Sequence, residues 1–140
     1  MHSLLVLASL LTLTSAAQEY FSETCKDVLL GASTGILTAT CNDKQQKPKA
    51  AALDLNKIIG VQTDPLSLIF TNPYNGPKPG FTPFCSGCVL TKKPHPIYGG
   101  PVTWMNCRCG SPSVTLESNL DENIGNDDGV LKSLFSDYKG

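Results

Sequence analysis

The sequence has little of what marks most functional classes. Charge is balanced: 11 Lys and Arg stand against 12 Asp and Glu, for a formal net charge of −1. It has no basic footprint for nucleic acid or for an anionic membrane surface. Past residue 17 His95 is the only histidine. Nothing marks an activated nucleophile or a carboxylate pair, so catalysis is not expected. No Asn-x-Ser/Thr triplet occurs, so N-linked glycans are not expected. Beyond residue 13 no apolar run approaches the roughly 20 residues that span a bilayer. The acidic residues lack the regular ligand spacing of a calcium loop, and no metal or cofactor is expected.

What is present begins at the N-terminus. Residues 4–13 are almost wholly apolar (Leu4, Leu5, Val6, Leu7, Ala8, Leu10, Leu11, Leu13), and Ser15, Ala16 and Ala17 follow. Ser15 and Ala17 fit a signal-peptidase site before Gln18, although the segment before the apolar block lacks Lys and Arg. Residues 1–17 are therefore expected to be a signal peptide. Residues 18–140 are expected to form one secreted, extracellular domain. That mature chain holds all 6 cysteines. An even count after a secretion signal predicts three disulfides.

The chain also says one thing twice. Leu53-Asp54-Leu55-Asn56-Lys57-Ile58-Ile59-Gly60 runs on to Leu66. Asn119-Leu120-Asp121-Glu122-Asn123-Ile124-Gly125-Asn126-Asp127-Asp128-Gly129-Val130-Leu131 repeats the same beat. Each copy follows a cysteine, Cys41 or Cys107, and each cysteine has a partner candidate upstream, placed four residues after a phenylalanine. This is one unit written twice: repeat one over 21–70, a Pro/Gly-rich linker over 71–83, and repeat two over 84–135.

In repeat one, Val28–Leu30 and Gly35–Thr40 read as strands joined by a turn, with Cys25 and Cys41 across the pair. Closing that loop is worth roughly 3 kcal/mol by the chain-entropy estimate. Ala50–Leu55 reads as a third strand and Asn56–Gly60 as a short helical turn stopped by glycine. In repeat two, Phe84-x3-Cys88 aligns with Phe21-x3-Cys25, Thr103–Cys107 with Leu37–Cys41, and Val114–Leu116 forms the third strand. The first hairpin of this copy is longer by three residues. Short strands, frequent turns and no long helical period give an all-β, disulfide-bonded fold.

Several patterns have a plain reading. Asn126-Asp127-Asp128-Gly129 can be a simple hairpin turn, because Asp-Gly is a strong turn signal. Cys85-x2-Cys88 with Cys107-x-Cys109 is close to a zinc-ribbon spacing, but the last pair is one residue too tight for it. Trp104 reads as a core residue rather than a stacking platform. His95, between Pro94 and Pro96, reads as exposed.

The doubled Phe-x3-Cys, hairpin, Cys, Leu-Asp-Leu-Asn-x2-Ile and Leu-Asp-x-Asn-Ile-Gly-Asn-Asp-Asp-Gly-x-Leu pattern resembles the cyanovirin-N homology family. The resemblance covers residues 21–70 and 84–135. It implies an elongated, pseudo-symmetric two-repeat fold with segments exchanged between the repeats. It also implies a lectin for mannose-rich glycans or glycoproteins, acting without metal or catalysis as a monomer or a segment-exchanged dimer. The family's sugar pocket near the chain termini falls on Glu23, Thr24, Asn42, Asp43, Lys44, Asn126, Asp127, Asp128 and Gly129. Short side chains offering acceptors and amide donors suit vicinal sugar hydroxyls. The opposite pocket falls on Val61, Gln62, Thr63 and Asp64, on Pro83, Cys85, Ser86 and Gly87, and on Arg108, Cys109, Gly110 and Ser111. There the family's polar turn is missing. The preferred pairing is Cys88–Cys107, taken as the equivalent of Cys25–Cys41, with Cys85–Cys109 added; Cys85–Cys107 with Cys88–Cys109 is the alternative. The competing function is a secreted interaction protein that keeps this fold without sugar binding.

Overall fold

Burial alternates along Ile36–Asn42: Leu37, Ala39 and Cys41 face inward, while Ile36 and Thr38 face out. A strand with one wet face requires this period of two. The computed structural model describes residues 20–71, 76–134 and 138–140; the expected signal peptide lies outside them.

A four-residue helix α1 (Phe21–Thr24) leads into an antiparallel sheet of β1 (Cys25–Leu30), β2 (Ile36–Asn42) and β3 (Pro48–Asp54), in that order. A hairpin of β4 (Ile59–Thr63) and β5 (Leu66–Phe70) follows. Repeat two has the same parts: the sheet β6 (Cys85–Pro94), β7 (Pro101–Cys109) and β8 (Val114–Asn119), then the hairpin β9 (Ile124–Asp127) and β10 (Val130–Ser133). Single 3-10 turns, Leu55–Lys57 and Leu120–Glu122, follow β3 and β8. Each has a side-chain cap: Asp54 accepts the Asn56 N–H and Asn119 accepts the Asp121 N–H. Capping gives the first orphan donors a partner and aims Leu55 and Leu120, both fully buried, into the core.

The hairpins are exchanged. β10 of repeat two lies against β3, and β5 of repeat one lies against β8. Gly129 packs on the Lys49 side chain and Gly110 on Leu66. One core joins the halves, with Phe21, Leu37, Leu53, Ile59, Phe81, Met105, Ile124 and Leu131 among its buried members.

The strands differ from the sequence reading at their ends. β1 starts at Cys25 rather than Val28, β2 covers Ile36–Asn42, and β3 starts at Pro48 rather than Ala50. A first strand position needs no ladder N–H, so Pro48 fits there. The turn expected over Asn56–Gly60 starts one residue earlier and is shorter, Leu55–Lys57, and Ile59 and Gly60 are already in β4.

The repeat alignment is corrected as well. Cys25 sits opposite Cys41, and the partner of that rung in repeat two is Cys85 opposite Cys109, not Cys88 opposite Cys107. Both ladders break one residue further on, between Lys26 and Leu29 and between Ser86 and Val89. The bulged residues Asp27 and Gly87 share a left-handed conformation (φ 54° and 61°). The phenylalanine equivalent to Phe21 is thus Phe81, also fully buried, while Phe84 is 63% exposed. The disulfides are Cys25–Cys41, Cys85–Cys109 and Cys88–Cys107. The pairing is the preferred one, but the added bond is Cys88–Cys107. The bulge lets pairs spaced by three and by two residues both meet across the strands. Met105, not Trp104, fills the core beside this ladder; Trp104 is half-buried under the Lys93 ammonium, 4.6 Å from its ring centroid.

Candidate functional site

Exchange brings three distant stretches together at one end of the fold: α1, the β2–β3 connection and the β9–β10 turn. The turn holds Asp128 (φ 55°) and Gly129 (φ 89°) as its two central residues. Two left-handed residues make the hairpin turn that matches strand twist, and glycine takes the second position without strain.

Asn126 ties the stretches. Its Nδ2 donates to Thr24 Oγ1 (2.8 Å) and to the Asn42 carbonyl (2.9 Å), and its Oδ1 accepts the Gly129 N–H (2.8 Å). The residue is buried. Both amide protons and the carbonyl are engaged, so Asn126 builds the pocket frame. The sequence suggests a sugar-facing donor-acceptor role there instead, because a side chain's internal partners are not visible in the sequence.

Asp43 is a frame residue too. Its Oδ1 accepts the N–H groups of Gln45 (2.8 Å) and Lys47 (2.9 Å), and Lys49 Nζ lies 3.6 Å from Oδ2. The Lys47 N–H, with Gln45 and the Lys49 ammonium, holds its carboxyl below the ordinary value of 3.8, against the opposing effect of burial. Asp127 pairs with Lys132 at 3.7 Å.

The groups left for a ligand are elsewhere. Asp128 is exposed, and its Oδ1 accepts the Lys44 N–H at 2.8 Å, so one carboxylate oxygen is anchored and Oδ2 is open. Thr24 Oγ1 accepts from Asn126 and keeps its own proton to donate. The half-buried Asn42 side-chain amide has no partner among the described residues. The Lys44 backbone N–H is spent on Asp128, and only its exposed side chain is left for a ligand. Glu23 is also exposed, but its carboxylate turns toward the β6–β7 hairpin: a Cβ at Gly100 would sit 3.6 Å from Oε2.

The opposite end has lost these groups. With the alignment corrected, Phe84 stands where Thr24 does and Pro83 where Glu23 does. The β4–β5 turn is Asp64–Pro65, with no N–H at its second position. Val61, Gln62 and Thr63 lie on β4; Arg108 reaches Ser113 (3.2 Å), and Ser86, Gly87 and Ser111 are exposed without forming a comparable tie.

Residues 21–132 match the sequence model of the CVNH domain. The chain belongs to the CVNH family. Among solved CVNH structures, that of the Gibberella zeae CVNH is 25% identical with a TM-score of 0.58, and the match covers 81% of this chain and 96% of that one. Microvirin, solved with mannobiose, is 22% identical with a TM-score of 0.59, covering 82% and 98%. A MoCVNH3 variant solved with (N-GlcNAc)4 is 16% identical with a TM-score of 0.59, covering 82% and 97%. No curated protein sequence matches. The CVNH fold is all-β, with two repeats and, in this chain, three disulfides. Its family supports carbohydrate binding as the function.

One group of residues at this end of the CVNH fold escapes the sequence reading. Tyr20, His95 and Tyr98 cluster beside Glu23. The longer hairpin of repeat two is the available signal, but its length alone does not say which element it leans on.

Proposed function

We propose that this chain is a secreted lectin for mannose-rich glycans, with one working pocket built on Thr24, Asn42, Lys44 and Asp128. Binding needs neither metal nor catalysis in this reading. The observation that carries it is the Asp128 carboxylate: exposed, yet fixed by the Lys44 N–H across the exchanged interface. Beside it stand a hydroxyl donor on Thr24 and the amide of Asn42. An anchored carboxylate with a hydroxyl and an amide beside it matches vicinal sugar hydroxyls, and the anchored acceptor loses little freedom on binding. Microvirin's mannobiose complex in the same fold supports mannose as the sugar. The opposite end, with Phe84 and Pro83 in place of polar groups, is not assigned a site. One shallow polar pocket binds weakly, so high avidity needs clustered glycans or a segment-exchanged dimer.

A glycan array with purified residues 18–140 is the test. Retention of mannose-terminated glycans, with Asp128→Ala sharply weakening it, is the expected result. A chain that folds and retains no glycan overturns the reading in favour of an interaction protein that keeps the fold alone. Secretion is checked separately by N-terminal sequencing of the exported product, expected to begin at Gln18.

A further inference from the structure

The tip of the β6–β7 hairpin is built to hold aromatic rings still. The His95 N–H donates to the Gly100 carbonyl (2.7 Å) and the Gly99 N–H to the His95 carbonyl (2.9 Å). His95 Nδ1 accepts the N–H groups of Ile97 (3.1 Å) and Tyr98 (3.2 Å). The imidazole therefore carries its proton on Nε2 and serves as the internal post of the loop. Pro94 and Pro96 restrict the backbone on either side. The His95 and Tyr98 rings lie 4.8 Å apart at 32°, and Tyr20, just before α1, closes on them at 5.4 Å and 6.4 Å. Tyr98 is nevertheless 72% exposed. A tyrosine ring packed against two others and still exposed is a feature that core packing alone does not call for.

Position gives the shelf its meaning. Tyr20, Glu23, His95, Tyr98, Gly100 and Val102 line one cleft. Glu23 is adjacent in sequence to Thr24, whose hydroxyl belongs to the polar pocket. The corresponding turn of repeat one, Gly31–Gly35, carries only small side chains. Among the described residues the aromatic shelf thus occurs once, beside the end that keeps the polar groups.

We infer that this shelf is a second subsite of the same pocket, taking a further pyranose ring of a mannose-containing oligosaccharide whose first ring lies at Asp128. The inference rests on the lectin reading above. A pyranose presents an apolar C–H face with hydroxyls around its edge. Tyrosine offers a broad, amphipathic surface at low entropic cost, and the Glu23 carboxylate supplies an acceptor for the hydroxyl edge. The site then selects for glycan length as well as for its terminal sugar.

Calorimetric titration of the mature chain with mannobiose, mannotriose and mannotetraose tests this, on the wild type, Tyr98→Ala and Tyr98→Phe. The wild type should gain about three- to tenfold in affinity beyond the disaccharide, as a ring contact of this kind typically contributes. Tyr98→Ala should keep mannobiose affinity and lose the gain, and Tyr98→Phe should keep both. An undiminished gain in Tyr98→Ala, or an equal loss for all three sugars, overturns the subsite. Mannobiose binding with no length effect in the wild type overturns the subsite and leaves the Asp128 pocket standing; no binding to any of the three overturns both.

Discussion

Ser22 and Asp121, from the start of one repeat and the end of the other, are joined by two short hydrogen bonds. The Ser22 N–H donates to Asp121 Oδ1 (2.8 Å) and the Ser22 hydroxyl to Oδ2 (2.6 Å). The Thr103 N–H adds a third at 2.7 Å. The other half repeats the arrangement: Asn56 Oδ1 accepts the N–H groups of Phe81 (2.8 Å) and Thr82 (3.1 Å). The second residue of each 3-10 turn thus latches the chain that enters the opposite repeat. Asp121→Ala strands two buried N–H donors, those of Ser22 and Thr103, and leaves the Ser22 hydroxyl only Thr103 Oγ1. It should destabilise the fold by about 3 kcal/mol, whereas Asn56→Ala, with its bonds only part-buried, should cost less. Urea unfolding of the two variants checks the order.

At the pocket, Asp128 and Asn126 should separate cleanly. Asp128→Ala is expected to weaken binding to a mannose-rich glycan by roughly ten- to a hundredfold, the usual effect of losing one charged hydrogen-bond partner, with little change in unfolding. Asn126→Ala should lose binding and about 2 kcal/mol of stability together, since it removes the tie between Thr24, Asn42 and Gly129. Gln62→Ala, at the opposite end, should shift affinity by less than about twofold. A silent Asp128→Ala beside a damaging Gln62→Ala would put the site at the wrong end.

Disulfides should differ in worth by nesting. Cys88–Cys107 lies inside the loop that Cys85–Cys109 already closes, so it removes little further freedom from the unfolded chain. The double variant Cys88→Ala/Cys107→Ala should stay folded and lose less stability than Cys25→Ala/Cys41→Ala, which opens the only bond of its repeat at a cost of about 3 kcal/mol. Equal losses in thermal unfolding would argue against this.

Acid should act through Asp43. Its folded pKa lies below the ordinary 3.8, so its carboxylate contributes stability that is fully present above that value. The contribution fades as pH falls below about 3.8 toward the folded pKa. Asp43→Asn should be less stable than the wild type at pH 7, with the gap narrowing at pH 3. Denaturant midpoints at the two pH values give the comparison; a gap of constant size would remove Asp43 from the acid response.

Much of this was readable in the residues. The doubled Leu-polar-polar-Ile-Gly beat marks the parts that recur, because both copies must bury the same leucines and isoleucines. The sequence leaves the alignment ambiguous because Phe81 and Phe84 each stand four residues before a cysteine, and only burial distinguishes them. Asp27 and Gly87 share a backbone shape that two different letters do not announce. The pocket was legible as a set of positions but not as a division of labour. Asn126 and Asp43 have the chemistry of ligands, yet their polar atoms are spent on the frame, and that depends on neighbours brought in from 84 residues away or on a local turn. The shelf of Tyr20, His95 and Tyr98 was hidden because its three rings come from two distant stretches.

The exchanged hairpins carry one more consequence. Neither repeat, cut out as continuous sequence, contains the strands that cover its own sheet. Severing the chain between the halves would therefore leave two complementary fragments rather than two small lectins. Each would expose the face its missing hairpin covers, and each would hold the piece the other needs. Recovery of the site that joins Thr24 to Asp128 would then follow second-order kinetics, because the two residues would have to be supplied by different molecules.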